Sequence, residues 1–320
     1  VRTERVEFFS EGVRLRGLLR WPDVPSGTPP PVLVQGPGWL GQANSRRYAR
    51  WHEGFTRAGY AVLVFDYRGF GASEGEPGWI DPEAQLQDIA SAVTYVETRA
   101  DLDARRIGGY GMGGTGGGNA IIAAARDPRI RCVVCQTVVA DGEDWLHRMR
   151  REYEWVEYLR RLDADRKRWV LEGRGERVDP RQELMVATPE RAGAKGHLDS
   201  GLEPEFFLRS AERLMGYRPI DYVDRVAPRG LLLTSVAGDA VTPEDHALAL
   251  YKRAGAPKKL IHQTNTTHYG SQEDNYDVLL EQFIGWYDRY LTAGPIEVRE
   301  EARPANDAVS ERFVTREAVA

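Results

Sequence analysis

No apolar run in this chain approaches the roughly 20 residues needed to cross a bilayer. Its first residues, Val1-Arg2-Thr3-Glu4-Arg5, lack the apolar core of a secretory signal, so a soluble, cytoplasmic protein is expected. A net charge of −5 over 320 residues supplies no basic field, and neither nucleic acid nor an anionic membrane is expected as a partner. No cluster of His, Asp and Glu has metal-ligand spacing and no nucleotide fingerprint is present, so neither metal nor cofactor is expected. Cysteine is confined to Cys132 and Cys135, a C-x-x-C inside an apolar stretch that reads as a strand. Positions three apart on a strand face opposite ways, so the two thiols should diverge and serve as packing. Serine is missing altogether between Ser91 and Ser200.

What remains is enough for a large core. With 42% hydrophobic residues, the length suits one α/β domain carrying a sizeable insertion. The opening segment alternates through Val6–Phe9 and Val13–Leu18 around Glu11-Gly12, a β-hairpin pattern. From Val32 onward, short continuous apolar runs take over: Val32–Val34, Ala61–Phe65, Ile107–Tyr110, Cys132–Val139, Leu231–Leu233 and Leu260-Ile261. Between them lie helical stripes, Trp51/Phe55/Ala58 closed by Gly59, Leu86/Ile89/Ala90/Val93, and Leu279/Phe283/Trp286/Tyr290. Apolar strands alternating with helices predict a mostly parallel, doubly wound sheet covered on both faces.

Residues 140–220 break this rhythm. They are charged and aromatic, as in Tyr153-Glu154-Trp155-Val156-Glu157-Tyr158, with no convincing strand, and predict a helical cap. The expected organisation is a core of residues 1–139 and 221–293, the cap at 140–220, and a polar tail at 294–320 that is either disordered or a docking arm.

Four motifs occur in order. Asp66-Tyr67-Arg68-Gly69-Phe70-Gly71-Ala72-Ser73 follows one strand, and Gly109-Tyr110-Gly111 enters a glycine-rich turn and the helix from Asn119. Gly238-Asp239-Ala240-Val241-Thr242-Pro243 and Thr267-His268-Tyr269 follow two later strands. Together they resemble the α/β-hydrolase superfamily, in particular its dienelactone-hydrolase-like and X-Pro-peptidase-like branch, over about residues 5–140 and 220–292. The resemblance implies a nucleophile elbow in the glycine-rich turn, an acid at Asp239 and a general base at His268.

The elbow departs from that pattern. Its nucleophile belongs at the apex of a strained strand-to-helix turn with small residues two positions either side. Counting from Arg106, the apex is Gly113; counting back from Asn119, it is Gly114; another register puts Thr115 there, and a further one Gly111. Thr115 has a hydroxyl that a histidine can activate, but a β-branched residue is poorly suited to positive φ. Gly71-Ala72-Ser73-Glu74-Gly75 matches G-x-S-x-G literally, yet lies in the wrong loop, and Ser73 is not expected to be a nucleophile.

The oxyanion hole is expected from the N–H groups of Gly38 and Trp39 and of Gly114 or Thr115. Trp145, Tyr153 and Tyr158 in the cap are candidate contacts for a small-molecule substrate. Two readings follow. One is a hydrolase of an ester, amide or activated carbonyl, with His268 as base, Asp239 orienting it, and Thr115 or water attacking. The other is a lyase, cyclase or isomerase with His268 as proton shuttle, or a silent binding protein. Whether the chain forms a homodimer is left open.

Overall fold

The computed structural model describes residues 2–22, 27–38, 40–185, 188–190, 205–292, 294 and 313–318. The hairpin is where the alternation puts it. Strands β1 (Thr3–Ser10) and β2 (Val13–Arg20) pair antiparallel, joined by Glu11 and Gly12 at φ 49° and 84°. Two consecutive positive φ values give the turn whose twist matches that of the flanking strands.

Each apolar run becomes a strand: β3 (Val32–Gln35), β4 (Ala61–Phe65), β5 (Ile107–Met112), β6 (Ile130–Gln136), and, beyond the two-residue strands of the insertion, β9 (Gly230–Val236) and β10 (Lys258–Gln263). These six run parallel in the order β4-β3-β5-β6-β9-β10, and β2 joins β4 antiparallel. Such runs are apolar throughout because both faces are covered. On β4, Ala61, Leu63 and Phe65 enter one core while Val62 and Val64 enter the other.

The first core is covered by α2 (Pro82–Glu97), through Leu86, Ile89 and Val93, and by α3 (Gly114–Arg126). The second is covered by α1 (Arg46–Arg57), through Trp51 and Phe55, and by the last long helix at Tyr276–Tyr290, through Leu279, Phe283 and Trp286. Cys132 faces the second core and Cys135 the first, and burial raises both thiols above their ordinary range.

The insertion carries α4 (Gly142–Arg148), α5 (Glu152–Glu172), α6 (Pro180–Glu183) and α7 (Ser210–Met215). It also holds the short antiparallel pair β7 (Arg177–Val178) and β8 (Phe206–Phe207), which its charged composition conceals. Asp141 caps α4 by accepting from the N–H groups of Glu143 and Asp144. His246, on α8 (Glu244–Arg253), fastens α4 to the core: its Nδ1 accepts the Ala140 N–H at 3.1 Å and its Nε2 lies 2.7 Å from Asp144 Oδ2.

The polar tail returns to the sheet. β11 (Phe313–Ala318) pairs antiparallel with β10, whose outer edge otherwise presents unpaired N–H and C=O groups. Among the described residues, no helix is long and apolar enough to cross a membrane.

His52 on α1 is fully buried and meets Gln35 Oε1 at 2.5 Å through Nε2. Burial, then the nearby Arg20 charge, pushes its pKa down to about 3. The unfolded chain, with an ordinary imidazole near 6.5, therefore binds the proton first. Stability should fall as pH drops from about 6.5 toward 3, by up to about 1.4 kcal/mol per pH unit from this residue. Urea unfolding of the wild type and His52→Asn at pH 7, 5.5 and 4.5 checks this. The wild type should lose more stability on acidification, and a difference that does not vary with pH would contradict it.

Candidate active site

β5 enters α3 through one left-handed residue. Gly113, at φ 80° and ψ 172°, precedes the helix as its N-cap, a conformation that essentially only glycine adopts. Strand and helix meet here through backbone. A Cβ on Gly111 would stand 2.3 Å from the Gly116 carbonyl oxygen and 2.6 Å from Gly117 Cα. A Cβ on Gly113 would meet nothing within 4 Å. The register counted from Arg106 is thus the one the chain adopts, and the apex carries no side chain.

Thr115 does not occupy the apex. It is the second residue of α3, is buried, and does not line the cavity beside Gly113; its carbonyl accepts the Tyr217 hydroxyl at 3.0 Å. Positive φ is costly for a β-branched residue, and a glycine two positions earlier takes it.

The structure brings Asp239 and His268 together. Each lies just beyond the carboxyl end of its strand, β9 and β10. Asp239 Oδ1 accepts the N–H groups of Val241 at 2.7 Å and Thr242 at 2.9 Å, which fixes the carboxylate. Its Oδ2 lies 2.8 Å from His268 Nδ1, and both side chains are buried. A carboxylate in this state only accepts, so Nδ1 carries the proton and Nε2 is left as the basic nitrogen.

His268, Gly113 and Gly114 line one cavity of about 110 Å³, with Met112, Trp145 and Gln272 among its other walls. The Gly114 N–H opens α3 with no intrahelical acceptor, and Gly114 lines the cavity. Gly38 is different. It lines the cavity, but its N–H already donates to the Tyr48 hydroxyl at 2.9 Å, so the expected donor there is engaged. Trp39 lies outside the described residues.

From the insertion, Trp145 reaches the cavity, and its indole N–H donates to the Val241 carbonyl at 2.9 Å. Tyr153 does not: it is 61% exposed on the outer face of α5. Tyr158 is buried within the insertion, with its hydroxyl on the Glu183 carbonyl and the Arg150 guanidinium over its ring. For Tyr158 the helical spacing reflects packing of α5 within the insertion. Ser73 is held in its loop, its hydroxyl donating to the Asp66 carbonyl at 2.6 Å and accepting the Arg16 N–H at 2.9 Å. A larger hollow of about 620 Å³ beside the β1–β2 hairpin shares no lining residue with the His268 cavity.

Sequence reasoning missed the first turn of α1 and one residue after the histidine. Ser45, Arg47 and Tyr48 line the cavity, as does Gln272 on α9 (Gly270–Glu273). Ser45 was findable as a helix-start residue ahead of the Trp51/Phe55 stripe, and Gln272 lies one helical turn beyond His268.

A mostly parallel sheet, a strand–turn–helix elbow, and acid and histidine after later strands in that order define an α/β hydrolase. The chain belongs to the X-Pro dipeptidyl-peptidase (S15) family, which it matches over residues 11–297. It is 33% identical over 245 residues to the 31.7 kDa protein of the traX-finO intergenic region of Escherichia coli, covering 74% of this chain and 83% of that one. It is 25% identical to the thiohydrolase aneE of Aspergillus aculeatus over 288 residues, 83% of this chain and 86% of that one. The crystal structure of the α/β hydrolase GrgF from Penicillium sp. sh18 superposes with a TM-score of 0.78 at 20% identity, over 91% of this chain and 99% of that one. The coarse class is a hydrolase of this superfamily.

The two elbow glycines should respond differently to a methyl group. Gly113→Ala has open space and bears only backbone strain, about 1–3 kcal/mol. Gly111→Ala drives a Cβ into backbone on the facing helix and should cost more, since no rotamer relieves it. Chemical denaturation of both variants measures the order, and a more stable Gly111→Ala would contradict the geometry.

Proposed function

We propose that the protein hydrolyses an ester, thioester or similarly activated carbonyl by direct attack of water, without a covalent acyl intermediate. The observation that carries this reading is the side-chain-free apex: Gly113, with open space where a Cβ would stand, lines the same cavity as His268. A water molecule there takes the place of a nucleophilic side chain.

In this mechanism His268 Nε2 accepts a proton from the water as its oxygen bonds to the carbonyl carbon. Asp239 holds the ring and stabilises the imidazolium. The carbonyl oxygen gains the electron pair and is met by the Gly114 N–H at the start of α3. The intermediate then collapses, the bond to the leaving group breaks, and His268 returns its proton to the departing alcohol or thiol. The thiohydrolase name of the Aspergillus relative makes thioesters the first substrates to try.

A fluorophosphonate probe read by intact-protein mass tests this. The wild type should form no adduct, Gly113→Ser should acquire one, and His268→Ala should lose about 10²–10⁴ in turnover. Thr115→Ala should stay within about tenfold, as loss of one hydrogen-bonding group would allow. A stoichiometric wild-type adduct would overturn the proposal. Turnover of a carbonyl substrate with no solvent oxygen in the product would favour the proton-shuttle reading instead.

A further inference from the structure

The His268 cavity has a second polar wall that the hydrolytic step leaves unused. Ser45 stands in the N-cap position of α1 and is only 6% exposed. Its hydroxyl nevertheless bonds no helical N–H and has no partner among the described residues. The first turn of α1 contains no acidic residue. It carries Arg47 instead, whose guanidinium lies 4.6 Å from the centre of the Tyr269 ring and pairs with no carboxylate among the described residues. The carboxylate of Glu190 accepts the Tyr269 N–H at 3.1 Å. Gln272, 3% exposed, has a side-chain amide with no hydrogen bond among the described residues, its Oε1 buried and unmatched. Ser45, Arg47 and Gln272 all line the cavity.

Buried polar groups without partners are exceptions in folded proteins and call for a ligand or ordered water. A cation and a hydroxyl at an uncapped helix N-terminus are complementary to an anion with hydrogen-bonding oxygens. Resting on the hydrolytic reading above, we infer that the substrate carries a free carboxylate besides the carbonyl that is hydrolysed. Arg47, the Ser45 hydroxyl and the first-turn N–H groups of α1 receive the carboxylate. The reacting carbonyl faces His268 and the Gly114 N–H. The substrate class is an ester or thioester bearing a carboxylate on a short chain, in keeping with a cavity of about 110 Å³.

The probes are succinamate and its uncharged counterpart succinamide, titrated calorimetrically at low ionic strength. The wild type should bind the anion about tenfold more tightly, as expected for one charge-assisted contact. Arg47→Gln should abolish that preference, and Arg47→Lys should keep part of it. Raising the salt should weaken succinamate alone. Thermal melts of both variants establish that they are folded, which a half-buried first-turn residue permits. Equal wild-type affinity for the two probes, no binding of either, or a preference that persists in Arg47→Gln would each overturn the subsite. Binding needs no turnover, so the two readings fail separately: discrimination through Arg47 without any hydrolysis supports the subsite and contradicts the water-attack mechanism alone.

Discussion

The backbone contact between β5 and α3 constrains everything around it. Because a Cβ at Gly111 would strike the Gly116 carbonyl oxygen at 2.3 Å, strand and helix close only through glycine. Their closeness forces the chain to reverse within a single residue of positive φ, and Gly113 is that residue. The same reversal brings the N-terminus of α3, with its unsatisfied N–H groups, to the cavity. In this fold the apex ordinarily bears the strain of a side chain held at positive φ. Here the apex is glycine, the space where a Cβ would stand is open, and it belongs to a residue lining the same cavity as His268.

The rest of the site is built as tightly as a covalent mechanism would require. Asp239 is held by two backbone N–H groups before it meets His268, so the ring orientation does not depend on solvent. The insertion is tied to the core on the same side, by His246 between the Ala140 N–H and Asp144 and by the Trp145 indole on the Val241 carbonyl. Val241 immediately precedes Thr242, whose N–H also holds Asp239, so this loop links the insertion to the His–Asp pair. A buried, preorganised His–Asp pair is what water activation needs, since proton transfer is fast only when the base is already in place.

Much of this was legible in the sequence because the relevant signals are local or strictly ordered. Short apolar runs such as Ala61–Phe65, alternating with amphipathic helices, read as strands covered on both sides, and the spacing of Cys132 and Cys135 then gives them opposite faces. The histidine and acid loops were found because each follows a strand in a fixed chain order. The apex itself was ambiguous: ten residues with seven glycines admit several registers, and only the backbone contacts of Gly111 choose among them. Tyr153 and Tyr158 misled because helical spacing shows that a face exists, not what it packs against. Gly38 misled because an N–H visible in sequence says nothing of the Tyr48 hydroxyl that folds onto it. The wall made by Ser45, Arg47 and Gln272 was not legible as a unit for a related reason: its members are 227 positions apart at the extremes and carry no shared motif.

The claim on which the rest turns is that water, not a side chain, attacks the carbonyl. A single turnover of a thioester in ¹⁸O-labelled water, quenched along its time course and read by mass on both protein and product, measures this directly. Direct attack gives one solvent ¹⁸O in the released acid and an unmodified protein mass at every time point. An acyl-shifted protein mass that rises and decays ahead of the product would contradict it.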